Sequence, residues 1–129
     1  MSYDLVFTRR SPGQPWDEAL EAMEEASLEA GQMPEEMLQA WARIAARAAE
    51  ILGDEIEETV GSDACELTDL TTGIRVSMLA DQAGIGVPWG DEDADLLDLA
   101  YQVGAVIEEE TTLEGYDPQA AVAIAEVRP

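Results

Sequence analysis

Carboxylates are the side chains of this 129-residue sequence whose number and spacing could support chemistry. The chain has 29 Asp and Glu residues against six cationic ones, all of them Arg, and it contains neither Lys nor His. Without His or Lys, the sequence cannot form a Ser-His or Cys-His nucleophile pair, a Schiff base or a phosphate-loop lysine. The catalytic options that remain are acid-base work by paired carboxylates and the binding of a hard metal ion.

The densest run of carboxylates, Asp91-Glu92-Asp93-Ala94-Asp95, is similar to the start of a calcium-binding loop. Such a loop needs Gly at its sixth position and Glu at its twelfth. These positions hold Leu96 and Gln102 here. We therefore assign the acids to the first turn of a helix, where negative charge is favoured. We expect no metal site, no cofactor and no catalytic residue.

The formal net charge of -23 argues against direct binding to nucleic acid or to an anionic membrane. It favours a basic protein as the partner, because opposite charges steer association. The candidate partner-binding residues are three acidic clusters and one tryptophan that follows a proline: Glu57, Glu58, Trp89, Asp91, Glu92, Asp93, Asp95, Glu108, Glu109 and Glu110. The last three end a predicted helix, where acid is unfavourable, so helix stability alone does not explain them.

Length and composition predict a single acidic domain over residues 1–129. Hydrophobic residues make up 47% of the chain, which is too many for a disordered acidic tail. Cys65 stands alone, so no intrachain disulfide can form, and we expect it to be a small core residue. No secretory signal pattern or long apolar run occurs, which predicts a cytoplasmic location and no membrane contact.

Periodicity in the first half of the chain predicts one strand and two helices. Residues 3–8 alternate as a strand, and a helix over 15–31 carries Trp16 on its apolar side. A second helix over 34–53 carries Trp41 in its apolar stripe. We expect both tryptophans to be buried. The acidic segment that follows is expected to be a solvated stretch or one more helical turn.

Periodicity in the second half predicts a three-stranded antiparallel meander over 64–89 and a third helix that starts at residues 90–91. A Gly/Pro turn over 111–118 closes this helix, and residues 120–127 suit either a last edge strand or a tail. The order is then β-α-α-β-β-β-α with a possible final β. This order predicts an α+β two-layer sandwich, a mostly antiparallel sheet with three helices on one face.

Three segments carry a resemblance to known proteins: residues 1–5 (MSYDL), 72–77 (TGIRVS) and 110–119 (ETTLEGYDPQ). Together they resemble small uncharacterised actinobacterial proteins in which an E-T-G-L-x-x-Y-D-P-Q ending follows the last helix. Thr112 stands where that pattern has Gly. Some of those proteins resemble immunity proteins encoded beside secreted toxins. The resemblance implies an α+β interaction protein, and it carries over no catalytic or binding residue.

The leading hypothesis is a non-enzymatic acidic protein-binding module of the immunity or inhibitor kind, which masks a basic partner. One alternative is a DNA mimic, which requires carboxylates at phosphate-like spacing on one face. Another is an enzyme that uses carboxylates, with or without a divalent metal. The acidity could also reflect only salt adaptation or a GC-rich genome, since Lys, His and Asn are all absent. An even spread of acids over the surface would favour that last interpretation.

Overall fold

The computed structural model describes residues 2–28, 31–88, 94–118 and 122–124 of the chain. Its helices and strands, numbered in chain order, are β1 (Ser2–Thr8), α1 (Trp16–Leu28), α2 (Glu35–Leu52), β2 (Ile56–Val60), β3 (Cys65–Asp69), β4 (Arg75–Met78), β5 (Gln82–Pro88), α3 (Ala94–Glu110), β6 (Glu114–Asp117) and β7 (Val122–Ala123). Within these ranges, no helix is both long and apolar enough to cross a bilayer.

The described strands form one antiparallel sheet of seven strands in the order β2-β3-β4-β5-β1-β6-β7. Consecutive strands from β2 to β5 pair with one another, as a meander does. β1 lies inside the sheet, where it pairs with β5 over seven residues and with β6 on its other side. Together with the helices, this sheet confirms the predicted α+β sandwich.

The hydrophobic core lies between one face of the sheet and the helices α2 and α3. Alternate residues of four neighbouring strands are almost fully buried on this face: Leu5, Phe7, Leu67, Val76, Met78, Ile85 and Val87. The stripe of α2 adds Trp41 and Ile44, and α3 adds Val103 and Ile107. Full burial of one such side chain contributes about 1.5–3 kcal/mol, so this contact holds the two layers together.

Helix α1 departs from the predicted arrangement of three helices on one face. The ring of Trp16, at the start of α1, stacks on Tyr116 with 4.7 Å between the ring centroids, and the Arg10 guanidinium lies over the indole. Tyr116 pairs with Val6, whose neighbour Phe7 is in the core, so Tyr116 lies on the face opposite α2 and α3. The expectation that Trp16 is a core residue is therefore wrong, because this indole is half-buried in a surface stack. Trp41 is buried, as predicted.

Two strands occupy segments that the sequence does not mark as strands. β2 takes up the acidic stretch after α2, so the alternative of one more helical turn at Ile56 is wrong. β6 lies within the segment predicted as a Gly/Pro turn, where Gly115 pairs with Phe7. Each of these strands exists because a neighbour supplies its hydrogen bonds, and neither shows a regular apolar alternation. The possible final strand is present as β7, two residues long.

Candidate functional site

Strand β2 lies at one end of the described sheet and has a paired neighbour, β3, on one side only. The Leu70 N–H donates to the Glu55 carbonyl, and the Gly61 N–H donates to the Ala64 carbonyl, both at 2.8 Å. Hydrogen-bonded residues alternate along an antiparallel pair, so every second residue between Glu55 and Gly61 bonds to β3. The residues between them direct their backbone groups away from β3, toward the open edge of the sheet.

Four exposed carboxylates follow one another along this edge, and we call them the acidic edge: Asp54, Glu55, Glu57 and Glu58. Within β2, Glu57 lies opposite Thr68 and Glu58 lies opposite Leu67. Leu67 is in the core, so Glu58 lies on the helix side of the sheet and Glu57 on the opposite side. The acidic edge therefore presents negative charge on both faces of one strand.

The carboxylate of Glu58 has a fixed position because it accepts a hydrogen bond from the core. The Trp41 indole N–H donates to Glu58 Oε2 at 2.7 Å, and Trp41 is only 1% exposed. An indole N–H that is buried needs an acceptor, and this carboxylate supplies it. The predicted pair Glu57 and Glu58 thus consists of one exposed acid and one acid that is hydrogen-bonded to α2.

Arginine side chains neutralise acids elsewhere, and none of the four ion pairs of the described residues involves the acidic edge. The pairs are Arg10–Glu114 at 3.2 Å, Arg43–Glu110 at 3.4 Å, Arg47–Glu109 at 2.7 Å and Arg75–Glu66 at 3.5 Å. All of them have solvent-exposed members, so each contributes little to stability. They nevertheless engage four carboxylates of the described residues, and none of these four belongs to the acidic edge.

The acids at the end of α3 have partners within the protein. Glu109 and Glu110 receive Arg47 and Arg43 from α2, and Glu108 Oε2 accepts the Gly115 N–H at 3.0 Å. These contacts give the acids a structural role at an unfavourable end of the helix dipole. The unusual position of residues 108–110 is therefore explained without a binding partner.

The remaining predicted contact residues are described only in part or not at all. Trp89, Asp91, Glu92 and Asp93 lie outside the described residues. Asp95 belongs to the first turn of α3, as the helix-start interpretation requires, and nothing is described of its side chain. The described residues contain no group of three or more potential metal ligands.

A buried carboxylate that the sequence analysis did not single out joins three elements of the fold. Asp117 of β6 is completely buried and accepts hydrogen bonds from the hydroxyls of Tyr3 and Tyr101. Burial, reinforced by the bond to Asp117, raises the pKa of Tyr3 to about 12. The same causes raise the pKa of Tyr101. The cluster joins β1, α3 and β6. The one sequence signal for it is the strand alternation that places Tyr3 on the core face.

An open groove of about 500 Å³ crosses the sheet face opposite α2 and α3. Gly84 and Gly86 line it, together with Asp4 and Arg75. The groove therefore carries one side chain of each charge, unlike the uniformly negative acidic edge.

Cys65 is buried, as predicted, and burial raises the pKa of its thiol, which makes it a poor nucleophile.

Comparison of this chain with protein-family models, with curated proteins and with solved structures finds no match.

Proposed function

We propose that this protein is a non-enzymatic binding module that masks a basic surface of another protein, in the manner of an immunity protein or inhibitor. The acidic edge is the contact surface, with Glu57 and Glu58 at its centre. Its carboxylates attract the cationic partner and occupy positions that a substrate phosphate would otherwise take.

A single observation carries this proposal: the acids of the acidic edge are exposed and take part in none of the ion pairs among the described residues, whereas Glu109 and Glu110 at the end of α3 are paired. The four carboxylates of the acidic edge fall within five consecutive residues, 54–58. Like charges at this density repel one another, which opposes folding and is relieved when a cationic surface binds. The net charge of -23 adds a long-range attraction for the same class of partner.

The test is affinity capture from the lysate of the source organism at low salt, followed by elution in a salt gradient. We expect one basic protein to remain bound past physiological ionic strength, where the Debye length is about 8 Å. Mass spectrometry then identifies this protein, and calorimetry with the purified pair gives the affinity.

A charge-matched pair of variants makes this test specific for the acidic edge. Glu57→Gln/Glu58→Gln removes two charges from the edge and keeps a side-chain oxygen for Trp41. Glu21→Gln/Glu25→Gln removes two exposed charges from α1. The first variant should release the captured protein at clearly lower salt than the second. Equal elution of the two variants, or early elution of many basic proteins, would show that only overall charge acts and would refute the proposal.

A further inference from the structure

The open side of β2 suggests how a basic partner would be held. We propose that β2 binds an extended segment of the partner, which adds to the sheet as an antiparallel strand beside the acidic edge. This inference rests on the proposed function and adds the conformation and chemistry of the bound segment. It joins two independent features of β2, its backbone and its charge.

The backbone of β2 has the pattern that strand addition requires. Glu57 and Thr59 bond to β3, so Ile56, Glu58 and Val60 direct their N–H and C=O groups away from it. An added strand would use these three residues for main-chain hydrogen bonds, which supply affinity in this mode of recognition. No other described strand occupies that side of β2.

The side chains of β2 define the chemistry of the added segment. Ile56, Glu58 and Val60 lie on the helix side, and Val60 is 57% exposed. Glu57 lies on the other side, and facing side chains of paired strands interact directly. The segment should therefore carry cations opposite Glu57 and Glu58 and apolar residues opposite Ile56 and Val60.

A second copy of this chain does not fit the same edge. Pairing of β2 with another β2 would bring the carboxylates of two acidic edges together, and like charges on facing strands are destabilising. Charge at an edge strand also prevents association with identical molecules. The acidic edge thus repels the same edge of a second copy and attracts a cationic strand.

The experiment uses three peptides with the core Val-Thr-Arg-Arg-Val. When this core pairs antiparallel to β2, its five residues lie in turn opposite Val60, Thr59, Glu58, Glu57 and Ile56. One peptide is unmodified, and each of the others has a single N-methyl group. The first methylated peptide carries it on the arginine opposite Glu58, whose N–H points at β2. The second carries it on the arginine opposite Glu57, whose N–H points away. Charge, composition and the number of methyl groups are matched between these two.

We expect the unmodified peptide and the one methylated opposite Glu57 to bind the full chain with similar affinity in calorimetry. Methylation opposite Glu58 should weaken binding by about tenfold or more, because it removes a main-chain hydrogen bond and blocks close approach. Equal affinity of all three peptides would show that charge alone binds them, which overturns strand addition and leaves the proposed function in place.

Two variants of one residue give the same test from the side of the protein. The N–H of Val60 is not used by β3, and proline is tolerated in an edge strand when its nitrogen faces outward. Val60→Pro should therefore fold, and its affinity for the unmodified peptide should be about tenfold lower than that of Val60→Thr. Val60→Thr also removes the apolar side chain but keeps the N–H. Equal binding by these two variants, with both confirmed as folded by circular dichroism, would refute strand addition.

Failure of this inference can be told apart from failure of the proposed function. If no peptide binds while lysate capture still depends on Glu57 and Glu58, strand addition is wrong and the acidic edge remains the contact surface. If the peptides do not bind and capture is also indifferent to these two residues, both proposals are wrong. Dimerisation of the free chain through β2, detected by sedimentation and abolished by Val60→Pro, would also overturn strand addition by a basic partner.

Discussion

The indole N–H of Trp41 donates a 2.7 Å hydrogen bond to Glu58, and this contact joins the core of α2 to the edge of the sheet. Trp41 is buried and Glu58 is exposed. A carboxylate that would otherwise be solvated therefore satisfies a donor inside the protein. This hydrogen bond engages Oε2 of Glu58. Glu58 thus both stabilises the fold and belongs to the proposed binding surface.

Glu58→Ala should lower the free energy of unfolding by about 1–2 kcal/mol, because the buried indole N–H of Trp41 loses its acceptor. Urea denaturation monitored by tryptophan fluorescence measures this loss. Glu57→Ala is the control, since Glu57 is exposed on the other face, and its effect should stay within about 0.5 kcal/mol. If the two variants were equally stable, the bond between Trp41 and Glu58 would contribute nothing.

Stability should fall as the pH rises from about 10 to about 12 because of Tyr3 and Tyr101. The pKa of Tyr3 is raised from 10.0 to about 12 in the folded protein, and that of Tyr101 is also raised. In this window the unfolded chain loses phenol protons that the folded chain retains. The free energy of unfolding therefore decreases with increasing pH.

Urea midpoints across this pH window measure the loss, and Tyr3→Phe/Tyr101→Phe should flatten its slope. Tyr116→Phe is the matched control, because Tyr116 stacks on Trp16 and does not serve as a donor to Asp117 in the buried cluster. An unchanged slope in the double variant would contradict the assignment of the raised pKa values to these two tyrosines.

Gly115→Ala should destabilise the protein by about 1–3 kcal/mol, the usual range for an overpacked core. A Cβ at this position would lie 2.5 Å from Phe7 Cε2 and 2.6 Å from Ile124 Cδ1. Thermal unfolding measures the effect. Gly31→Ala is the control, because a Cβ there meets nothing within 4 Å. Equal melting temperatures for the two variants would show that β6 is not packed against Phe7 as described.

The melting temperature should rise when salt is added, from very low ionic strength to molar concentration. The net charge of -23 opposes compaction, and salt reduces the range of this repulsion. The four exposed ion pairs act in the opposite direction, but pairs of this kind contribute only about 0–1 kcal/mol each. A melting temperature that does not change with salt would contradict the dominance of repulsion.

Local patterns were sufficient where an element has one regular apolar face. The stripe that includes Trp41 and Ile44 predicts α2 to within a residue of its bounds, and strict alternation predicts β1. Alternation also predicts the burial of Cys65. These elements are recognisable because burial against one neighbour imposes a period of 3.6 or 2 on the sequence.

Patterns failed where the deciding partner is distant in the chain. β2 has no alternating apolar face, because it is an edge strand whose residues are mostly exposed, and only its pairing with β3 makes it a strand. The apolar spacing of Trp16 suited a core position, but its ring stacks on Tyr116, which lies near the other end of the chain. The burial of Asp117 likewise depends on Tyr3 and Tyr101.

The sequence by itself determined the sign and size of the charge, the absence of Lys and His, and the α+β class, because composition and short-range periodicity are properties of the chain alone. The tertiary structure decided which carboxylates are paired. Arg43 and Arg47 reach Glu110 and Glu109 only because α2 packs against α3. Glu57 and Glu58 of β2 lie at an edge that no ion pair of the described residues reaches. Pairing across space depends on how elements pack, and it is this packing that distinguishes the acidic edge from Glu109 and Glu110 at the end of α3.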